Sequence, residues 1–231
     1  MKIGTLTIGQ SPRMDIIPEL KEAIGFEVEM EERGALDDLT WEDVKDLYPG
    51  PDDYILVTRM RDGKEVKIAE RHIVERMKKC IADLERSDVD FIILLCTGEF
   101  PKDIISKKLI LKPSKLLENM VRGILQEGVI ADIVPSPDQI PLTEERWKRT
   151  NPNLKVIVET VSPYTGTDAE IEKVAEKIAK TNANLLVLDC LGFNRGVKTI
   201  FRKITKKPVL LPRTLLGRVA GELIEGYFNE S

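Results

Sequence analysis

Two stretches of the chain end an apolar run in a thiol and reach a glycine two residues later. They are LLCTGEF (residues 94–100) with Cys96 and Gly98, and VLDCLGF (187–193) with Cys190 and Gly192. A thiol at the carboxyl end of a buried strand sits where α/β sheets carry their chemistry. The glycines permit a tight turn after the strand. Backbone N–H groups in such a turn, or at a helix start beyond it, favour a thiolate and can hold a carboxylate or enolate oxygen. Each loop therefore offers an acid/base thiol and an oxyanion site. Two such loops facing one another would remove a proton from one side of a carbon and return it to the other. Cysteine is also a common space-filler. That reading suits Cys80, which lies on the apolar stripe of a helix.

The elements that must carry these loops follow from periodicity. Residues 2–8 form a β-rich run that stops at Gly9, and Ser11-Pro12 reads as a helix start with Ser as cap. Residues 27–31 alternate as a half-buried strand, and Thr40 and Asp43 make a capping-box pattern. Residues 54–69 form a hairpin around Asp62-Gly63. Ile73, Met77, Cys80, Ile81 and Leu84 fall at helical spacing, and FIILL (91–95) reads as a strand buried on both faces. Strands at 129–134, 154–160 and 185–188 alternate with helices around 144–149 and at 168–180. The pattern is β/α with short parallel sheets.

The unit is duplicated. After each Cys-x-Gly comes an apolar strand, a proline and a helix with paired leucines: LILKPSKLLENMVRGIL (109–125) and PVLLPRTLLGRVAGELI (208–224). Two similar Rossmann-like lobes related by a pseudo-twofold axis are expected, with a cleft between them. The first lobe comprises 1–112 plus 212–231, the second 113–211.

Further binding candidates sit at other strand ends. In TIGQSPR (7–13), Gln10, Ser11 and Arg13 are hydrogen-bonding groups at a strand-to-helix turn, suited to an anionic ligand or to capping alone. The spacing lacks a dinucleotide fingerprint. VPSPDQ (134–139) holds the matching place in the second lobe, making Ser136 the counterpart of Ser11. Arg59 and Arg61 alternate on the hairpin. Paired guanidinium groups suit carboxylates, although surface charge on an edge hairpin is the commoner explanation. His72, Trp41 and Trp147 read as bystander or packing residues. GFNRG (192–196) is not a phosphate loop.

Composition narrows the class. With 42% hydrophobic and 32% charged residues among 231, the chain is globular. A net charge of −4 leaves no basic footprint for nucleic acid. No apolar run reaches the ~20 residues of a membrane helix, and the N-terminus lacks signal-peptide features. Three dispersed cysteines and one histidine fit a reducing, cytoplasmic setting, with no disulfide scaffold and no metal site.

LTIGQSPR, TRMRDG, VPSPDQ and LDCLGF, in this order along the chain, resemble the AroM family. That family is similar to the aspartate/glutamate/hydantoin racemase superfamily. The resemblance implies two Rossmann-like lobes, no cofactor, and a racemase, isomerase or related lyase acting on a small carboxylate, with a homodimer as an admissible assembly. It implies Cys96 and Cys190 as the acid/base pair, and Thr97, Gly98, Leu191 and Gly192 as contacts to the substrate carboxylate. Gln10, Ser11 and Ser136 would line the cleft; Arg13 and Arg59, read from the residues alone, complete the substrate-binding candidates. Two features depart from the superfamily pattern: Leu191 stands where many racemases have a hydroxyl, and Asp189 precedes the second thiol. A one-base form using Cys190 alone is a variant. A non-catalytic binding or regulatory protein that keeps the same lobes is the alternative, and a redox pair is a third reading.

Overall fold

The computed structural model describes residues 1–228. The chain divides into two units, Met1–Ser114 with Leu216 onward, and Lys115–Leu215.

In the first unit, apolar runs at Lys2–Thr7 (β1), Phe91–Leu94 (β5) and Ile110–Leu111 (β6) join Glu29–Gly34 (β2) in a parallel sheet of order β2-β1-β5-β6. β2 starts two residues later than the alternation at 27–31 suggests, because its register is set by Glu29 opposite Lys2. Between them in sequence lie α1 (Ile17–Ile24), α2 (Trp41–Lys45) and the antiparallel hairpin β3 (Ile55–Arg59) and β4 (Glu65–Ala69). The hairpin turns at Gly63, whose φ of 94° is the left-handed conformation that favours glycine. Helix α3 spans Glu70–Arg86 and buries Ile73, Met77, Ile81 and Leu84 against Leu6, Ile92 and Leu94 of the sheet. Thr40 and Asp43 form the expected reciprocal cap on α2.

The second unit builds the same sheet. β7 (Gly128–Val134), β8 (Leu154–Thr160), β9 (Leu185–Leu188) and β10 (Val209–Leu210) pair in parallel in the order β8-β7-β9-β10. Strand for strand, this repeats the order of the first sheet. β7 alternates its faces. Val129, Ala131 and Ile133 pack with α6 (Asp168–Ala179) and α7 (Arg195–Thr205). Ile130 packs on the other side with Trp147 of α5 (Ile140–Thr150) and Leu117 and Val121 of α4 (Pro113–Ile124). Both faces are covered, which is why these strands read as continuous apolar runs.

The chain enters the second unit in the first turn of α4 and leaves it in the first turn of α8 (Pro212–Ile224). α4 follows the last strand of the first sheet yet packs on the second. α8 follows the last strand of the second sheet, and its Gly217 and Gly221 lie on Ala23 and Ile24 of α1 in the first unit. The repeated helices are thus exchanged between units.

The expected helix at Ser11-Pro12 is not there. α1 opens at Ile17, with Ile16 as cap residue and a proline, Pro18, in its first turn. The Asp37 carboxylate takes both the Ser11 N–H and its hydroxyl, at 2.6 and 2.7 Å. The Arg13 carbonyl closes the turn into α1 instead, accepting from Ile16 and Ile17 N–H at 2.9 Å.

Candidate active site

In each sheet the first and third strands are neighbours, and the chain departs to opposite sides of them. Loops at the carboxyl ends of such strands flank a ligand-binding crevice in open α/β sheets. In the first unit these are the loop after β1, with Gly9–Arg13, and the loop after β5, with Cys96–Gly98. In the second they are the loop after β7, with Ser136, and the loop after β9, with Cys190–Gly192.

The two thiol loops share one local geometry. Gly98 N–H donates to Cys96 Sγ at 3.4 Å, and Gly192 N–H donates to Cys190 Sγ at 3.3 Å. A hydrogen bond of this kind favours the thiolate over the thiol. Neither cysteine is in a disulfide, and they are 9% and 8% exposed. Neither glycine is left-handed, so the turn itself does not demand them. Close approach does. A Cβ on Gly98 would lie 2.6 Å from Leu56 Cδ2, and one on Gly192 would lie 2.7 Å from Tyr164 Cζ.

The neighbours of the two thiols differ. Tyr164 Oη lies 3.9 Å from Cys190 Sγ, within hydrogen-bonding reach for sulfur. In the first unit Tyr54 Oη accepts Glu99 N–H at 3.1 Å, one residue beyond Gly98. Arg213, 1% exposed in the first turn of α8, donates Nε and Nη2 to Leu191 O at 3.0 and 2.7 Å. Its Nη2 also donates to Gly192 O at 3.0 Å.

Asp189 is bonded by a buried guanidinium. Arg146 Nη2 bonds Asp189 Oδ2 at 2.5 Å and Asp132 Oδ2 at 3.0 Å, and Trp147 Nε1 bonds the same Asp132 oxygen at 2.5 Å. Two carboxyl groups therefore share one cation. Burial and the Asp189 charge push the Asp132 carboxyl up, to about 8, against the opposing pull of Arg146.

The remaining candidates are engaged within their own units. Gln10 Nε2 donates to Leu36 O and Leu39 O, and its Oε1 accepts from Arg61 N–H at 2.8 Å. Arg13, 2% exposed, forks onto Asp15 through Nε and Nη2 at 2.9 and 2.8 Å and reaches Thr7 Oγ1 through Nη1 at 2.9 Å. Burial opposes the charged form of Asp15, but Arg13, with help from Arg59, outweighs it and holds that carboxyl below its usual range. Arg59 Nη1 is 3.8 Å from Asp15, and Arg61 Nε donates to Ser11 O at 2.6 Å. Ser136 caps a 3₁₀ turn at Pro137–Gln139: its hydroxyl bonds Asp138 and its N–H bonds Gln139 Oε1. Thr97 is buried beside Cys96. Cys80 lies on α3 with its Sγ 3.7 Å from Gly34 O, and burial first, then Asp37 and Asp83, push its thiol up to about 11.

Sequence reasoning missed Tyr164, Arg213, Asp37 and the Asp132–Arg146 pair. Signals existed for two of them: a lone acid in the apolar run VIADIV, and Pro-Arg at 212–213 where the first repeat has Pro-Ser at 113–114.

Solved structures with this fold include racemases, a maleate isomerase and arylmalonate decarboxylase. Glutamate racemase from Francisella tularensis, solved with D-glutamate, matches with a TM-score of 0.62 at 16% identity, over 99% of this chain and 83% of that one. The maleate isomerase Iso from Pseudomonas putida S16 matches with a TM-score of 0.63 at 8% identity, over 98% and 92%. Allantoin racemase from Klebsiella pneumoniae matches with a TM-score of 0.58 at 13% identity, over 100% and 90%. The fold of this chain is thus shared with glutamate racemase, maleate isomerase and allantoin racemase. No curated protein matches the chain in sequence. A family model described as AroM protein matches residues 3–224, and the chain belongs to the AroM family.

Proposed function

We propose that this protein is a cofactor-independent isomerase of racemase or epimerase type. Its substrate is a small carboxylate whose α-proton is exchanged between Cys96 and Cys190. The observation that carries the reading is the repeated thiol geometry: each sulfur receives the N–H of the glycine two residues on, at 3.4 and 3.3 Å. The racemase-like fold supports it. A thiolate takes the α-proton, the electron pair moves into an enolate, and the other thiol gives its proton to the opposite face. The chemistry requires both sulfur atoms to reach one bound carbon.

In this reading Thr97, Gly98, Leu191 and Gly192 hold the substrate carboxylate through hydroxyl and backbone groups. Gln10, Ser11, Arg13 and Arg59 fix the loop after β1, and Ser136 fixes the loop after β7. Arg146 bonds the carboxylate of Asp189, the acid that precedes the thiol, and so offsets its charge. Three cysteines outside any disulfide fit a cytoplasmic setting.

The test is incubation in deuterated water with amino acids, hydantoins and dicarboxylates. One compound is expected to gain deuterium at the α-carbon, and Cys190→Ser is expected to slow this by about a hundred- to ten-thousand-fold. Tight binding of a panel member without exchange would replace this reading with a non-catalytic binding protein.

A further inference from the structure

We infer that Arg213 is a positioning residue for the Cys190 thiol, and that it makes the two thiols unequal: Cys190 rests ready to accept a proton, Cys96 ready to give one. The division of roles rests on the proton-transfer reading above.

The geometry starts from the peptide bond. In a planar trans peptide the carbonyl and the following N–H point in opposite directions. Arg213 holds Leu191 O with two donors, so the Gly192 N–H of that peptide must point away from the guanidinium. It points at Cys190 Sγ, 3.3 Å away. Arg213 also holds Gly192 O, which turns Phe193 N–H the other way, onto Cys190 O at 3.3 Å. One buried cation thus sets both peptides of the thiol loop and adds positive charge beside it. The fork is a property of arginine, since a lysine presents a single ammonium.

The repeat supplies the comparison. Aligning KPSKLL (112–117) with LPRTLL (211–216) puts Ser114 at the position of Arg213. The first copy keeps the glycine N–H on its sulfur but has no cationic fork at that position. A second difference runs the same way: Leu56 fills the space at Gly98, whereas at Gly192 it is Tyr164, whose hydroxyl reaches the sulfur.

Within the second unit, the charged and titratable groups near Cys190 include Tyr164 from the loop after β8, Asp189 next to it in sequence, and Arg213 on α8; Arg146 on α5 joins Asp189 to Asp132 on β7. The first turn of α7 carries Arg195. The Asp189 and Asp132 carboxyls are both bonded to Arg146, whereas Arg213 holds the peptides of the thiol loop and Tyr164 reaches the sulfur. In turnover, the α-carbon's C–H bond breaks and an S–H bond forms on Cys190. The Cys96 S–H proton passes to the other face, and solvent exchange restores both sulfurs.

Thiolate absorbance near 240 nm tests this in full-length chains that each retain one site thiol, Cys80→Ser/Cys96→Ser and Cys80→Ser/Cys190→Ser. Cys190 is expected to ionise about one pH unit or more below Cys96. Arg213→Met should raise the Cys190 midpoint and leave that of Cys96 unmoved, which a general loss of structure would not do. Arg213→Lys should recover part of the shift; if Arg213→Met does not fold, Arg213→Lys should still lie above the native arginine. Equal midpoints, or a Cys190 midpoint indifferent to Arg213, overturn the inference. If the midpoints behave as stated and no compound exchanges deuterium, the functional reading fails while the role of Arg213 stands.

Discussion

A glycine two residues after each thiol was legible from the sequence, but its reason was not. The turn at Gly192 uses ordinary backbone angles; what excludes a side chain there is the Tyr164 ring. Gly192→Ala is therefore expected to push Tyr164 off Cys190 rather than to break the turn. Overpacking of this kind costs about 1–3 kcal/mol, measurable by urea unfolding, and the rate of α-proton exchange should fall far more than stability does. The buried Asp132–Arg146–Asp189 group makes a second prediction. Asp132 holds its proton to about pH 8 in the folded chain and releases it in the ordinary carboxylate range when unfolded. The folded state binds the extra proton between those limits, so stability falls as pH rises through that window. In Asp132→Asn this decline should flatten. Arg146→Met, which leaves two buried acids without their cation, should cost about 3–5 kcal/mol. Unfolding curves at pH 5, 7 and 9 check all three chains.

Elements with their own strong signal were readable: α3 from its 3.6-residue stripe, the hairpin from Asp62-Gly63, β8 and β9 from apolar runs of strand length. The misreading came where a distant side chain overrides a local motif. Ser11-Pro12 has the composition of a helix start, yet Asp37, 26 residues away in sequence, captures the serine. Local pattern cannot show such a competitor, nor can it show that Arg213 turns back onto the β9 loop. At α8 the element also constrains its own residues. A Cβ on Gly221 would lie 2.4 Å from Ile24 O of α1. Alanine at that position has the better helix propensity, by about 1 kcal/mol. Gly221→Ala should nonetheless destabilise the chain, because α1 and α8 would have to move apart. A gain in melting temperature would show the two helices less closely packed than described.

At the scale of the whole chain, the duplication seen as Cys-x-Gly, strand, proline and helix extends to two sheets of identical strand order and to an exchange of their final helices. The two thiol loops differ in their neighbours: Arg213 stands where the first copy has Ser114, and the side chain against the loop glycine is Tyr164 in one and Leu56 in the other. No helix among the described residues is long and apolar enough to cross a membrane. The central claim is that one small carboxylate exchanges its α-proton through both thiols. Its most direct measurement is the α-deuteration rate of the responding compound in the native chain, Cys96→Ser and Cys190→Ser, started from each enantiomer separately. The account predicts that each serine variant loses interconversion of the enantiomers, and that Cys190→Ser stops deuterium entry wherever Cys190 must accept the proton. Full racemisation in both serine variants would contradict it.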